Sequence, residues 1–166
     1  MAKIRLASSL QTDSIVDGPG LRLVVWTQGC PHHCPGCHNP QSHDFNEGQE
    51  VDIDLLCKEI KEYDYHTGIT FSGGEPMLQA KQCIEIARYA KLLGLDVWCY
   101  SGYTWEELLD SSDDSIHQFI ELIDVLVDGK FMNGLKSLEL KFKGSSNQRC
   151  IDVQKTRETK VITQIN

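Results

Sequence analysis

The chain of 166 residues, 40% of them hydrophobic and 24% charged, is long enough for a domain whose core needs no disulfide or metal. With no apolar run near the roughly 18 residues of a membrane span and no secretory signal, we expect a cytoplasmic protein that forms a single domain over residues 1–166. The net charge of −8 argues against nucleic acid or an anionic membrane as partner, because both favour basic surfaces.

Short β-branched runs alternate along the chain with longer segments of helical period. The predicted strands are IRLASSL (4–10), LRLVVWT (21–27), GITFS (68–72), LDVWCY (95–100), DVLVD (124–128), LELKF (138–142) and CIDV (150–153). The predicted helices are VDIDLLCKEIKEYDY (51–65), PMLQAKQCIEIARYAKLLG (76–94), a segment beginning at TWEELLD (104–110), and DDSIHQFIELI (113–123). For the tail KVITQIN (160–166) we expect either a further strand or a frayed end.

Alternation of strands and helices indicates parallel strands joined by right-handed crossovers. Five to six such strands are too few for the closed eight-unit barrel, which typically takes about 250 residues. We therefore expect an α/β fold built as a partial, open parallel β/α barrel. In parallel folds the carboxyl ends of the strands form one rim where ligands bind, so the loops that follow the strands should converge there.

The loop after the second predicted strand contains three cysteines in the string CPHHCPGC, namely Cys30, Cys34 and Cys37. Seven cysteines in a chain with no export signal are more typical of metal or redox chemistry than of disulfides. The other four are assigned no function, and two of them have the spacing of buried helix positions. These four are Cys57, Cys83, Cys99 and Cys150.

Two kinds of metal site are compatible with this loop. Zinc needs four ligands, and His32, His33 or His38 would have to join the three thiolates within a very short segment. An iron–sulfur cluster accommodates the spacing better, because each cysteine binds a different iron and one iron stays open for another ligand. A pure electron carrier gains nothing from an open iron. A zinc- or cluster-stabilised binding module without chemistry remains a non-enzymatic alternative.

A second motif, SGGEP (72–76), ends a predicted strand and opens a helix. Gly73 and Gly74 allow the backbone to approach a ligand closely, and the start of a helix favours a carboxylate. Glu75 and nearby carbonyls suit a protonated amine. The motif is equally compatible with a tight turn and a helix start. Beside an open iron, it favours an amino-acid-like ligand that chelates the metal.

Together the two motifs resemble the radical S-adenosylmethionine enzymes, whose signature CxxxCxxC is followed by GGE. Further strings make the chain similar to the activating proteins of anaerobic ribonucleoside-triphosphate reductase, and GSSNQR (144–149) separates these from their relatives. The other strings are DSIVDGPGLR (13–22), YSGYTWEEL (100–108) and IDVLVDGKF (123–131). The chain departs from the family pattern at Lys143 and Cys150, and has Gly36 where an aromatic residue often precedes the third cysteine.

The resemblance implies that Cys30, Cys34 and Cys37 ligate three irons of one 4Fe–4S cluster. It implies a set of contacts to S-adenosylmethionine and no catalytic side chain beyond these ligands. The contacts are Gly36, Cys37 and His38 on the loop wall, Gly73, Gly74 and Glu75 at the methionine amine, and Ser101 at the ribose. Asp17, Gly18 and the Asp128–Gly129 turn are expected at the mouth of the site.

The resemblance also implies the reaction and its partners. A low-potential donor such as reduced flavodoxin reduces the cluster, S-adenosylmethionine is cleaved to a 5′-deoxyadenosyl radical, and this generates a glycyl radical on the large reductase subunit. The alternatives are an activase of the pyruvate formate-lyase type or a small-molecule radical enzyme such as a deazaguanine synthase. Outside this scheme, His32 and His33 are interpreted as solvated, His43 has no ligand spacing, and Arg149 binds either an anion, the partner or an acidic residue of the domain.

Overall fold

The computed structural model describes residues 2–165, so both ends of the expected domain, Met1 and the tail residue Asn166, lie outside it. The strands are β1 (Lys3–Leu6), β2 (Gln11–Ser14), β3 (Arg22–Thr27), β4 (Gln49–Asp52), β5 (Gly68–Gly73), β6 (Asp96–Tyr100), β7 (Val125–Asp128) and β8 (Arg149–Asp152). The α-helices are α1 (Ile53–Glu62), α2 (Ala80–Leu92), α3 (Trp105–Leu109), α4 (Asp114–Ile120) and α5 (Val153–Thr159). Short 3-10 turns cover Pro40–Ser42, Pro76–Gln79 and Asn133–Leu135. Within residues 2–165 no helix combines the length and apolar character needed to span a membrane.

Within the described residues, the eight strands form one sheet in the order β4-β1-β3-β5-β6-β7-β8, with β2 also paired to β3. The centre of the sheet is parallel, because β3 pairs with β5, β5 with β6, and β6 with β7 in the same direction. Three crossovers containing α1, α2, and the α3–α4 pair connect these strands. The predicted α/β fold with a parallel core is confirmed.

The flanks of the sheet are antiparallel, so four parallel strands replace the five to six that were expected. β1 and β2 both pair antiparallel with β3, and β4 pairs antiparallel with β1. β8 returns beside β7 in the opposite direction. No α-helix lies between β7 and β8, and an antiparallel return needs no crossover helix.

One predicted strand is absent, and three elements of the structure had no counterpart in the prediction. LELKF (138–142) is a turn rather than a strand, and Leu138 is fully exposed, because its apolar residues meet no partner strand. β2, β4 and α5 were not predicted. The described part of the tail forms one isolated antiparallel bridge to β8, between Gln164 and Ile151. The N–H of Asp152 donates to the carbonyl of Thr163 (2.8 Å) and that of Ile165 to the carbonyl of Cys150 (2.9 Å).

The core lies where the parallel strands meet α1, α2 and α4. The strand runs are buried throughout, which is why β3, β5 and β7 appear in the sequence as continuous apolar segments. Cys83 is fully buried there, as its helical spacing predicts, whereas Cys57, which has the same spacing on α1, is only partly buried against the core. Cys99 on β6 is also fully buried. Asp52 caps α1 by accepting the N–H of Asp54 (2.9 Å), which ends the antiparallel flank and starts the first crossover.

Candidate functional site

A cavity of about 200 Å³ opens at the carboxyl ends of the parallel strands. The loops after β3, β5, β6 and β7 all reach it, as the parallel arrangement predicts. The predicted residues on its wall are Cys30, Cys34, Cys37, His38, Gly73, Gly74, Ser101, Asp17 and Gly129. The wall also contains residues to which the resemblance assigned no contact, namely Trp26, His32, Asn39, His43, Ser72, Tyr100, Gly102, Phe131, Gly144 and Gln148.

The cysteine loop is fixed at both ends by backbone hydrogen bonds. The N–H of Gly29 donates to the carbonyl of Ser42 (2.7 Å), and the N–H of Cys30 donates to that of His43 (3.0 Å). The N–H of Cys37 donates to the carbonyl of Cys34 (3.1 Å), which closes a turn between the last two cysteines. These hydrogen bonds place the three thiols on one wall of the cavity.

All three thiols are free, with Cys30 buried and Cys34 and Cys37 half-buried. Burial raises the pKa of the Cys30 thiol to about 11, so this sulfur is protonated at neutral pH until a metal replaces the proton. Within residues 2–165 no group of three His, Cys, Asp or Glu side chains is arranged around a single metal ion. The thiols thus share a wall without converging on one point.

Two nitrogen atoms lie beside the sulfur of Cys37. The N–H of Asn39 is 3.4 Å from Sγ, and Nε2 of His43 is also 3.4 Å away. The sequence spacing had given His43 no role. Burial, followed by the neighbouring His33, lowers the pKa of His43 below its ordinary value.

Glu75 connects three loops from a position behind the wall, where it is only 1% exposed. Its Oε1 is 2.6 Å from Nε2 of His32 and accepts the N–H of Gly102 (2.8 Å). Its Oε2 accepts the hydroxyl of Ser101 (2.9 Å) and the N–H of Met77 (3.1 Å). Both carboxylate oxygens are therefore engaged by the protein itself.

The interpretation of His32 as a solvated residue is wrong. Its side chain is 5% exposed and lies between Glu75 and Tyr103, whose ring meets the imidazole edge to face at 4.6 Å. His33, in contrast, is exposed. His32 is buried because it contacts the carboxylate of Glu75 behind the GGE turn. The sequence could not show this contact, because it forms between two different loops.

The glycine pair allows the β5 loop to approach the cysteine loop closely. A Cβ on Gly73 would lie 2.5 Å from the carbonyl oxygen of Thr27, and one on Gly74 would lie 2.4 Å from that of Gly29. The N–H of Gly74 donates to Thr27 and that of Glu75 to Gly29, both at 2.8 Å. The glycines thus serve contact between two backbones as well as lining the cavity.

Gly36 is not on the cavity wall. Its φ of 75° lies in the left-handed region, and a Cβ there would be 2.8 Å from Oδ1 of Asn133. Glycine therefore replaces the aromatic residue often found at this position because the backbone is left-handed there and because Asn133, in the loop after β7, lies where a side chain would begin.

The residues expected at the mouth divide into two groups. Asp17 and Gly129 line the cavity, whereas Gly18 is buried beside the Arg22 side chain. Asp128 is 1% exposed and accepts the N–H of Trp105 (2.8 Å). It also pairs with Arg149 through two hydrogen bonds of 3.1 and 2.6 Å.

This pairing decides between the alternatives for Arg149, which forms a salt bridge within the domain. Its guanidinium also contacts Glu106. The hydrogen bonds that Arg149 donates to Asp128 and then to Glu106 raise the pKa of its guanidinium, so it stays charged. The pair joins the start of α3 to the end of β7 and the start of β8.

Comparison with known proteins adds a family to this geometry. Residues 16–151 match the family described as a 4Fe-4S single cluster domain, a range that includes every residue of the cavity wall. The anaerobic ribonucleoside-triphosphate reductase-activating protein of Salmonella typhimurium (strain LT2) is 36% identical over 142 residues, covering 81% of this chain and 90% of that protein.

Proteins of the same name from other sources are similarly related. The one from Escherichia coli (strain K12) is 37% identical over 147 residues, with 81% of this chain and 90% of the relative covered. The one from Enterobacteria phage T4 is 30% identical over 142 residues, with 81% and 85% covered. The similarity thus extends over nearly the full length of these relatives.

Proposed function

This chain belongs to the family of anaerobic ribonucleoside-triphosphate reductase-activating proteins, and on that premise we propose that it activates such a reductase as a radical S-adenosylmethionine enzyme. The observation that supports this most is the position of three free thiols on one cavity wall, in a chain that matches a 4Fe-4S single cluster domain. We further propose that β3, β5, β6 and β7 are the core of a partial, open parallel β/α barrel.

The donor set fits an iron–sulfur cluster. Thiolates are its usual ligands, and each iron at a corner of the cube takes one. Cys30, Cys34 and Cys37 would hold three irons and leave the fourth for another ligand. The Asn39 N–H and His43 Nε2 beside the Cys37 sulfur are suited to tune the potential, because hydrogen bonds to sulfur are one of its determinants.

The rest of the wall fits an amino-acid-like ligand. Gly73 and Gly74 present backbone to the cavity, and Ser101 lines it from the β6 loop. We propose that these residues, with Cys37 and His38, contact S-adenosylmethionine. Glu75 would act by positioning, because its carboxylate holds the Ser101 turn and the cysteine loop against each other.

When bound, the cluster supplies the electron that cleaves S-adenosylmethionine to methionine and a 5′-deoxyadenosyl radical, which takes a hydrogen atom from a reductase glycine. The chain's own part is to hold the reacting atoms in line and to admit a loop of the partner. Asp17 and Gly129 on the cavity wall would meet that loop. A low-potential donor such as reduced flavodoxin would provide the electron.

The test is anaerobic reconstitution with iron and sulfide, followed by dithionite and S-adenosylmethionine. We expect methionine and 5′-deoxyadenosine to form in the wild type, and Cys34→Ala to abolish their formation. Cys57→Ala is the matched control, since Cys57 lies on α1 away from the cavity and should leave turnover unchanged.

Full turnover by Cys34→Ala would remove the cluster from the reaction. A colourless zinc protein, or a cluster whose electron paramagnetic resonance signal ignores S-adenosylmethionine, would instead point to a binding module and contradict the proposal.

A further inference from the structure

We propose that Phe131, held in place by the segment GSSNQR (residues 144–149), forms with His38 the wall that binds the adenine ring of S-adenosylmethionine. This inference rests on the proposed function. It assigns a role to a segment that distinguishes the family in sequence but was left without one. It also assigns the purine to a particular side of the cavity.

Phe131 lies on the cavity wall beside the cysteine loop. Its ring and that of His38 are 5.0 Å apart between centroids and tilted by 47°. His38 follows directly on Cys37, so the aromatic pair adjoins the proposed third iron ligand. A nucleoside attached to a sulfonium at the open iron therefore has an aromatic surface within reach on this side.

The segment 144–149 holds the backbone that carries Phe131. Gln148 donates through Nε2 to the carbonyl of Gly129 (3.0 Å), and Asn147 donates through Nδ2 to that of Lys130 (2.8 Å). The N–H of Met132 donates to Oγ of Ser145 (3.1 Å). Side chains of this one segment thus bind the residues on both sides of Phe131.

The segment also holds itself rigid. Oε1 of Gln148 accepts the N–H of Gly144 (2.8 Å) and that of Ser145 (3.2 Å), which closes a compact turn. Arg149 then joins the turn to the buried carboxylate of Asp128. A segment with this many internal ties is suited to fix the position of a neighbouring ring.

Gly144 leaves the space that the Phe131 ring occupies. A Cβ at this position would lie 3.0 Å from Cδ2 and 3.3 Å from Cε2 of the ring, closer than ordinary contact. Gly144 itself lines the cavity. A larger residue there would press on the ring and change the wall.

The chemistry suits a purine. An aromatic face stacks on a nucleobase, and such stacking changes affinity by about tenfold per base. The methionine end of the ligand needs polar groups and the open iron, and on the proposed function the three thiols and Gly73–Gly74 would provide that side of the site. The aromatic pair is left for the nucleoside end. Trp26 and Tyr100, which also line the cavity, are the competing aromatic surfaces.

The experiment measures equilibrium binding of S-adenosylmethionine to the cluster-loaded protein without reductant, with methionine as a second ligand. We expect Phe131→Leu to weaken S-adenosylmethionine binding about tenfold and to leave methionine affinity and iron content unchanged. Phe131→Tyr keeps an aromatic face and should stay within about threefold of wild type. Tyr65→Leu, at an exposed aromatic outside the cavity, is the matched control.

The role of the segment is tested with Gln148→Ala and its control Gln154→Ala, whose amide likewise donates to backbone carbonyls, but outside the cavity. We expect Gln148→Ala to weaken binding of S-adenosylmethionine about threefold while methionine binding is kept. If the substitution only destabilised the protein in general, the affinities for S-adenosylmethionine and for methionine would fall together.

Wild-type affinity in Phe131→Leu, or a larger loss in Trp26→Leu, would overturn the assignment while leaving the proposed function intact. Wild-type protein that binds methionine and S-adenosylmethionine equally would also overturn it, since the wall would then contribute nothing. A wild-type cluster that binds neither ligand would overturn the proposed function as well.

Discussion

At the scale of single residues, Glu75 shows how one carboxylate can organise a site without facing it. It accepts from His32, Ser101, Gly102 and Met77, and so ties the loops after β3, β5 and β6 together. Buried carboxylates need such partners, because an unpaired charge in the interior is strongly unfavourable. The alignment of the cavity wall therefore depends on a residue that lies behind it.

Removing this carboxylate should destabilise the whole site. We expect Glu75→Ala to lower the free energy of unfolding by about 3–5 kcal/mol, because buried donors lose their acceptor. Urea denaturation of the metal-free protein measures this. Glu85→Ala, at an exposed position on α2, should change stability by less than about 0.5 kcal/mol. Equal stability of the two variants would show that the hydrogen bonds to Glu75 contribute little.

The glycine pair provides a second prediction at this scale. Gly74→Ala places a Cβ 2.4 Å from the carbonyl oxygen of Gly29, so the cysteine loop has to move away. We expect iron content after reconstitution to fall at least about threefold, since misplaced thiols bind the cluster poorly. Gly134→Ala has no atom within 4 Å of the new methyl group and should load iron like the wild type. Full iron loading in Gly74→Ala would contradict the close-approach argument.

At the scale of elements, the antiparallel return from β7 to β8 is fastened at one end by an ion pair. Asp128 ends β7 and is buried, whereas Arg149 begins β8 with 27% of its side chain exposed. The same carboxylate accepts the N–H of Trp105 and so also fixes the start of α3. The segment with Phe131 lies between these two anchored ends.

Breaking this pair should loosen the return. We expect Arg149→Met to cost about 2–3 kcal/mol of stability, less than a fully buried pair because the guanidinium is partly in water. Arg157→Met is the control: its contact with Glu121 is 3.8 Å long and largely exposed, so the change should be below about 0.5 kcal/mol. Thermal unfolding measures the stability of both variants. If Arg149→Met were as stable as Arg157→Met, the Asp128–Arg149 ion pair would contribute little to the stability of the domain.

At the scale of the whole molecule, the sheet brings loops far apart in sequence to one cavity. The four parallel strands end on the same rim, and each contributes part of the wall. The antiparallel flanks widen the sheet and add two pieces to the cavity wall, namely Asp17 from the loop after β2 and the segment between β7 and β8. The site therefore forms because parallel strands place the loops that follow them on the same side of the sheet.

The partner can be tested directly on the assembled system. When the reduced, cluster-loaded protein is mixed with anaerobic ribonucleoside-triphosphate reductase and S-adenosylmethionine, we expect the doublet of a glycyl radical in electron paramagnetic resonance. Cys34→Ala should give no doublet, because its cluster lacks a ligand. A doublet obtained only with pyruvate formate-lyase would identify a different partner.

Much of the fold could be predicted because each central strand contains a run of buried residues that are mostly apolar or β-branched. β3, β5, β6 and β7 all lie within a residue or two of their predicted bounds. The polar strands QTDS (11–14) and QEVD (49–52) gave no such signal, since only their pairing partners make them strands. LELKF (138–142) has the alternation of a strand but meets no partner, so it stays a turn.

By itself, the sequence determined the family, the parallel core and the three cysteines, because short local spacing and apolar runs express these features directly. Only the tertiary structure decided that Glu75 faces the protein, that His32 is buried, that Arg149 pairs with Asp128, and that residues 144–149 support Phe131. These are contacts between loops separated by many residues. Their geometry depends on how the strands are ordered and directed, which no local pattern encodes.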